Sequence, residues 1–459
     1  MSVSTFKRGL RISVAKHTKE RTEGKAVELS PSPKQVVIPI QQHLGAPNQS
    51  LVKVGDKIKR GQIIADAVQP GPMTVPVHAS ISGVVKKIEP RTQSNNAVGM
   101  CIVIEGDTPY TQDTDCDFMP PLDPFTCTKA EALKRVRDAG IVGMGGAGFP
   151  THVKLSPPPN KPIEYILANG AECEPYLTID EALMHEKASL LVRGLAYVMK
   201  ITGVSKAIIG MEDDKVAIVP DLEKEIRAAQ DTYLKGVGSI QIGLCKMVYP
   251  QGGEKLLISA LVGKEVPSGA LPMDVGCIVQ NVGTLVAIAE AFLLGKPLID
   301  RDLTVSGNAC KTPKNMRAPI GTLITDLPKE FIDVDNDKLR KIVFGGPMMG
   351  NAVHTAEIPI QKNTSGILFM TDKETFGEDE GPCIQCARCI KHCPCRLSPV
   401  IMCKALEAGD LDEAVKVGLM DCIECGSCTY ICPARMRLVQ RFRVGKGRLR
   451  AKQQAAAKK

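Results

Sequence analysis

Two runs of cysteine constrain this chain more than anything else in it. The first reads Cys383-Ile384-Gln385-Cys386-Ala387-Arg388-Cys389-Ile390-Lys391-His392-Cys393-Pro394. The second reads Cys422-Ile423-Glu424-Cys425-Gly426-Ser427-Cys428-Thr429-Tyr430-Ile431-Cys432-Pro433. Both have the form C-x2-C-x2-C-x3-C-P. Three thiolates at that spacing clasp one [4Fe–4S] cube, and the fourth, set apart by the longer gap and the proline, ligates the neighbouring cube. The spacing therefore assigns Cys383, Cys386, Cys389 and Cys432 to a first cluster, and Cys422, Cys425, Cys428 and Cys393 to a second. Structural zinc closes with four ligands and does not need the C-x2-C-x2-C triplet. A disulfide framework belongs to exported chains, and the start of this one has Lys7 and Arg8 but no apolar h-region, so export is not expected. Two clusters with crossed ligands sit close together and conduct electrons, which requires something at each end.

The remaining cysteines, Cys101, Cys116, Cys127, Cys173, Cys245, Cys277, Cys310, Cys395 and Cys403, have no regular spacing and read as reduced thiols in a reducing compartment. At 459 residues and 44% apolar content the chain suits roughly three packed domains. No stretch reaches the ~20 apolar residues of a membrane span; the nearest, 275–294, is interrupted by Gln280, Asn281 and Glu290 and suits a buried helix. Ten Lys or Arg and no acid lie between Ala434 and Lys459, more than the whole net charge of +8. That tail reads either as solvated or disordered, or as a contact for an acidic protein or anionic lipid. With one aromatic, Phe442, and no binding motif, it does not indicate nucleic acid.

Residues 1–33 are polar and irregular. Short alternating segments punctuated by glycine then follow, among them Val36–Ile40, Val52–Ala65 and Val77–Ile88, and predict small antiparallel β structure. Their wording resembles the barrel-sandwich hybrid of biotinyl and lipoyl carriers. The carriers' hairpin lysine is missing, because no lysine lies between Arg60 and Lys86 and the turn is Pro70-Gly71-Pro72-Met73. The module reads as structural. From Lys129 onward helices and strands alternate: a helix over Lys129–Ala139, a strand over Ile163–Ala168, a helix over Glu181–Ile201 and a strand over Lys206–Gly210. Between the first two lies Gly143-Met144-Gly145-Gly146-Ala147-Gly148-Phe149-Pro150-Thr151, whose glycines let backbone N–H groups approach a phosphate or a flat ring. Asn169-Gly170-Ala171-Glu172-Cys173-Glu174 follows the next strand, where α/β sheets bind ligands. It reads as hydroxyl recognition or as a solvated acidic loop.

Together with Tyr249-Pro250-Gln251-Gly252-Gly253-Glu254 and Asn281-Val282-Gly283-Thr284, these loops resemble, in order, the flavin-carrying NADH dehydrogenase subunit of respiratory complex I. The leading β module, the doubled cysteine runs and Gly345-Gly346-Pro347-Met348-Met349-Gly350 narrow the resemblance to the C subunits of Rnf complexes, the ion-translocating ferredoxin:NAD⁺ oxidoreductases. The resemblance implies an α/β multidomain fold: a barrel-sandwich hybrid with its N-terminal extension over 1–125, a Rossmann-like FMN/NADH domain over 126–298 and a β-grasp (SLBB-like) insert over 299–372. A helical ferredoxin-type 2[4Fe–4S] domain, starting after Phe376-Gly377-Glu378, fills the span assigned to 373–440, and a basic tail covers 441–459. It implies that Gly143, Gly145, Gly146, Ala147 and Gly148 face FMN and NAD(H), with Lys154 near the flavin phosphate, Asn169 on the flavin and Glu172 and Glu174 facing both. Glu254, Gln280 and Asn281 match further nucleotide and flavin contacts, Phe149 matches one of three phenylalanines that hold NADH, and Lys264 stands where a nucleotide-binding lysine is expected. Met144, Ala171 and Gly253 depart from the pattern, as do Pro157 and Pro267 in place of the other two phenylalanines.

The implied activity is electron transfer between NAD(H), FMN and two [4Fe–4S] clusters, at the cytoplasmic face of the bacterial cell membrane. The implied partners are other members of the Rnf complex: one iron–sulfur protein that accepts electrons from ferredoxin, one that carries flavin, and the integral membrane proteins. The rival is a non-catalytic iron–sulfur relay whose flavin pocket has decayed.

Overall fold

The computed structural model describes residues 3–11, 18–69, 71, 73–375 and 379–457. Pro70 and Pro72 of the hairpin turn and the Phe376-Gly377-Glu378 boundary lie outside them. A five-stranded parallel sheet runs in the order Val3–Ser4, Ser239–Cys245, Lys206–Glu212, Tyr165–Gly170, Cys277–Asn281. Its central strands carry apolar residues on both faces because helices cover both sides. The Val282–Leu293 helix has eleven buried residues, which is why its composition approaches that of a membrane span. No described helix is long and apolar enough to cross a membrane. This helix packs on Ala188–Thr202 so closely that a Cβ on Gly194 would stand 2.0 Å from the Leu285 carbonyl oxygen.

A six-stranded mixed sheet follows, in the order Asn351–Val353, Lys341–Phe344, Gly366–Met370, Asp300–Ser306, Lys314–Pro319, Val27–Leu29. Two small sheets form the leading β module. One is Gln35–Pro39, Val98–Gly106, Gly83–Thr92, Lys57–Ile58, and the other Gln49–Ser50, Ile63–Asp66, Val77–His78. The cysteine runs lie among helices: Arg388–Lys391, Pro399–Glu407, Leu411–Lys416, Ser427–Tyr430 and Leu438–Ala457. Asp410 caps the third of these, accepting from the Glu413 N–H at 2.9 Å.

Three expectations need correction. Residues 1–33 are not irregular throughout: Val3–Ser4 extends the parallel sheet beside Leu244, and Val27–Leu29 pairs with Asn315–Arg317 in the mixed sheet. Strands of two or three residues are too short to show alternation. The expected Glu181–Ile201 helix is two, Ile179–Glu186 and Ala188–Thr202, turning at Lys187, whose ammonium pairs with Asp302 at 3.3 Å. The described part of the basic tail is neither solvated throughout nor disordered. Over Leu438–Ala457 it is a 20-residue helix burying Leu438, Val439, Phe442 and Leu449. Its Lys446 donates to the Cys422 carbonyl at 2.6 Å and pairs with Glu424 at 2.8 Å.

Candidate functional site

The glycine loop is a tight hairpin closed by the Gly143 N–H to Phe149 carbonyl bond at 2.9 Å. Neighbouring modules hold it from several sides. The Met144 N–H donates to Thr284 Oγ1 at 3.1 Å, and Leu44 N–H of the β module donates to the Gly148 carbonyl at 3.1 Å. Arg301 of the mixed sheet donates to the Met144 carbonyl at 3.4 Å. A Cβ on Gly145 would meet Asn281 at 3.0 Å, whereas one on Gly146 would meet nothing within 4 Å. Gly146 thus opens onto free space where a ligand can approach the bare backbone. Thr151–Lys154 is a single helical turn, too short to supply the extended helix of a dinucleotide fingerprint.

Adjacent parallel strands bring the next residues together: Asn169 lies opposite Asn281, and Ala168 opposite Gln280. The Asn169 amide donates to the Gly252 carbonyl at 2.8 Å, which ties this strand end to the Tyr249–Glu254 turn. Asn281 does two jobs. Its side-chain oxygen caps the apolar helix by accepting from Gly283 N–H at 2.9 Å, worth about 1 kcal/mol, and its NH₂ donates to Asp180 at 2.8 Å. Lys154 pairs with Glu254 at 2.9 Å and donates to the Val279 carbonyl at 2.9 Å. Gln280 Nε2 and both amide atoms of Gln251 are buried with no partner among the described residues. Buried polar atoms are rarely left unmet, so this cradle of bare glycine backbone and unmet amides fits a flat, polar-edged group such as FMN.

The two loop carboxylates already have partners. Glu172 accepts from the Asp180 and Glu181 N–H groups at 2.6 and 3.2 Å, capping the first turn of Ile179–Glu186. Glu174 accepts from Met348 and Met349 N–H at 3.0 and 2.8 Å, and burial still pushes it up to about 7. Burial likewise raises Asp180, with the Glu172 charge adding to it, and lifts Glu181 to about 7. Into this acidic pocket reaches the ammonium of Lys19, donating to the Glu172 carbonyl at 2.5 Å. No motif surrounds Lys19, so nothing in the sequence points to it. Lys264 lies elsewhere, pairing with Glu164 at 2.9 Å and with the Val275 carbonyl at 3.1 Å, at the amino ends of the strands.

Cysteines of the two runs lie near one another. Cys389 feels the charges of Cys386 and Cys432, while Cys428 feels those of Cys422, Cys425 and Cys393. Cys393 of the first run lines one cavity with Cys422, Cys425 and Cys428 of the second. Pro394, Leu397, Met402, Ser427, Val439 and Phe442 enclose the second set, and burial pushes Cys422 up to about 11. Thiols so placed ionise on binding a metal centre, and an apolar cage with four sulfurs fits an iron–sulfur cube. Cys395 lines the same cavity, but burial pushes it up to about 12 and the spacing gives it no ligand role.

One contact joins the two sites. The Tyr249 hydroxyl, at the start of the turn that receives Asn169, donates to the Cys425 carbonyl at 2.6 Å. Leu10, Tyr249 and Cys425 share an apolar cluster with Cys173 and Met348. Sequence reasoning passed over Tyr249, whose only signal was its place at the head of the Pro-Gln-Gly-Gly turn.

The family models divide the chain along the same lines. Residues 4–109 match an RnfC barrel sandwich hybrid domain, 136–290 a Nuo51 FMN-binding domain and 376–433 a 4Fe-4S dicluster domain. The C subunit of the Na(+)-translocating ferredoxin:NAD(+) oxidoreductase complex of Acetobacterium woodii is 40% identical over 96% of both chains. The chain belongs to the Rnf C-subunit family. Its counterpart in the proton-translocating ferredoxin:NAD(+) oxidoreductase complex of Clostridium ljungdahlii is 42% identical over 84% of this chain and 81% of its own. The Rhodobacter capsulatus relative, the C subunit of an ion-translocating oxidoreductase complex, is 37% identical over 97% and 83%.

Proposed function

We propose that this chain is the NAD(H)-linked electron-transfer subunit of an ion-translocating ferredoxin:NAD⁺ oxidoreductase complex. When bound, FMN exchanges hydride with NAD(H) and single electrons with the two [4Fe–4S] clusters. The chain's own residues bind, orient and exclude water. Gly143, Gly145, Gly146, Ala147 and Gly148 offer bare backbone to the ring and phosphate, and Phe149 closes their hairpin. Asn169, Gln280 and Asn281 line the strand ends, with Lys154 and Glu254 as a charged pair at the rim. Glu172 and Glu174 act through the loops they pin, since both already accept two backbone hydrogen bonds. No side chain is required as a general acid or base.

The observation that carries this reading is the Tyr249–Cys425 contact, which sets the second cysteine run against the flavin cradle. The order along the chain's redox path is then flavin cradle, second-run cluster, first-run cluster. On this reading the domains divide near residues 125, 298 and 372, the site lies at the cytoplasmic face of the cell membrane, and electrons pass to or from other Rnf subunits. Met144, Ala171 and Gly253 favour a second reading, a relay without flavin. A visible spectrum of the anaerobically reconstituted chain separates the two: a flavin band near ~450 nm that bleaches with NADH supports the first, and no flavin with no NADH effect supports the relay.

A further inference from the structure

We propose that the face around Cys383 and Cys386 is the docking port for an acidic redox protein, an inference that rests on the function proposed above. Pro382 through Arg388 form an unbroken exposed stretch that includes both cysteines. Cys393, Cys425 and Cys428 of the second set are buried. Tunnelling falls steeply with distance, so the cluster whose ligands reach the surface is the one that exchanges electrons with another protein.

Downstream of the acidic Asp379 and Glu380, the charge of the run itself is of one sign. From Pro382 to Leu397 the chain holds Arg388, Lys391 and Arg396 and no carboxylate. None of these three cations makes an ion pair among the described residues, while Glu380, just upstream, is neutralised by Arg441 at 2.6 Å. Arg8 adds a fourth cation: exposed on the N-terminal arm, it donates to the Ile390 carbonyl at 3.2 Å. Thr429–Gln440 holds Arg435 and Arg437 and again no acid, and Arg437 joins Arg441 in neutralising Glu380, at 3.7 Å. The second run is the opposite case, because Glu424 there is bound by Arg443 at 3.2 Å and Lys446 at 2.8 Å. Surface cations such as Arg388 and Lys391 cost little in water and steer an anionic partner from a distance. Ile384, 64% exposed, gives the cationic ring an apolar centre, the anatomy of a small transient interface. The occupant is a protein with carboxylates around a one-electron centre. One electron crosses per encounter, lost by the donor centre and gained by the acceptor, with no proton or bond involved.

The test measures binding as well as turnover. Full chain loaded with iron, sulfide and FMN is titrated with a small acidic two-[4Fe–4S] ferredoxin at two salt concentrations, beside the Arg388→Glu/Lys391→Glu double variant. The expected result is binding that weakens steeply with salt and falls about tenfold or more in the double variant, while iron content, FMN content and bleaching by NADH stay at the parent values. Arg450→Glu, on the exposed far end of the last helix, is expected to leave binding unchanged. Equal affinity in parent and double variant, or no binding to either, overturns the docking port. So does capture of the parent, but not of the double variant, by phosphatidylglycerol vesicles with no ferredoxin binding, which assigns the face to lipid. Loss of iron or flavin from the parent chain is a different failure: it removes the proposed function itself.

Discussion

The two cysteine runs repeat one another in sequence and in backbone, yet stand in opposite surroundings. Gln385 and Glu424 both adopt left-handed backbone (φ 56° and 57°), as do Ala387 and Gly426 (56° and 82°) and Arg396 and Arg435 (58° and 56°). The repeat is therefore a fixed wrapping of chain around a cube, indifferent to its setting. The setting differs because the second run packs under the flavin cradle. A Cβ on Gly426 would lie 2.8 Å from the Met348 carbonyl, so only glycine fits there, whereas Ala387 at the equivalent place is exposed. Ligand spacing thus encodes the cluster, and the residues between ligands encode which cluster faces inward.

Breaking one ligand in each run should give the largest contrast. Cys393→Ala is expected to remove the second-run cluster, about four of the roughly eight iron atoms, and to lower stability. Its sulfur sits in the apolar cage of Met402, Val439 and Phe442. Cys383→Ala should cost the exposed cluster with little loss of stability. Iron analysis and electron paramagnetic resonance of the reduced proteins check this, and loss confined to the first cluster in Cys393→Ala would refute ligand crossing. Next, Gly426→Ala should destabilise by about 2–3 kcal/mol, from left-handed strain of ~1–2 kcal/mol plus the clash with Met348, whereas Ala387→Gly should be neutral or stabilising. Equal effects in denaturant titrations would mean the two settings are alike after all.

A third contrast is pH. Glu174, which ties the cradle to the loop over the second run, is raised from 4.5 to about 7 by burial. Its contribution to stability is complete below pH 4.5, declines as pH rises and is gone above about 7. Glu174→Gln, uncharged throughout, should therefore gain on the parent across that window by an amount on the order of 3 kcal/mol. A difference independent of pH contradicts the assignment. The smallest effect expected is that of Tyr249→Phe, which loses one hydrogen bond worth ~1 kcal/mol. It should shift the reduction potential of the second-run cluster and leave the first unmoved, as read by redox titration.

The clusters, the alternation of strand and helix and the loop positions were legible because each depends on local rules: thiol spacing, turn glycine, apolar runs. Asn169 and Asn281 were legible individually and proved to be cross-strand neighbours. What stayed hidden depends on distant packing. Lys19, Tyr249 and Arg301 act through partners more than 150 residues away. The strands in residues 3–29 are too short to carry a pattern. The last helix was masked by its charge, although Leu438, Phe442 and Leu449 already marked one buried stripe. The carboxylates of Glu172 and Glu174 were expected to face the cofactors, and only the backbone N–H groups they cap show them already engaged.

The order of sites is the central claim, and NADH reduction of chains holding one cluster tests it most directly. In reconstituted Cys383→Ala, NADH should still reduce the remaining second-run cluster to its paramagnetic state. In Cys428→Ala the surviving first-run cluster should stay oxidised by NADH while accepting electrons from dithionite. Prompt reduction of the first-run cluster in Cys428→Ala, with a silent second-run cluster in Cys383→Ala, would contradict the account.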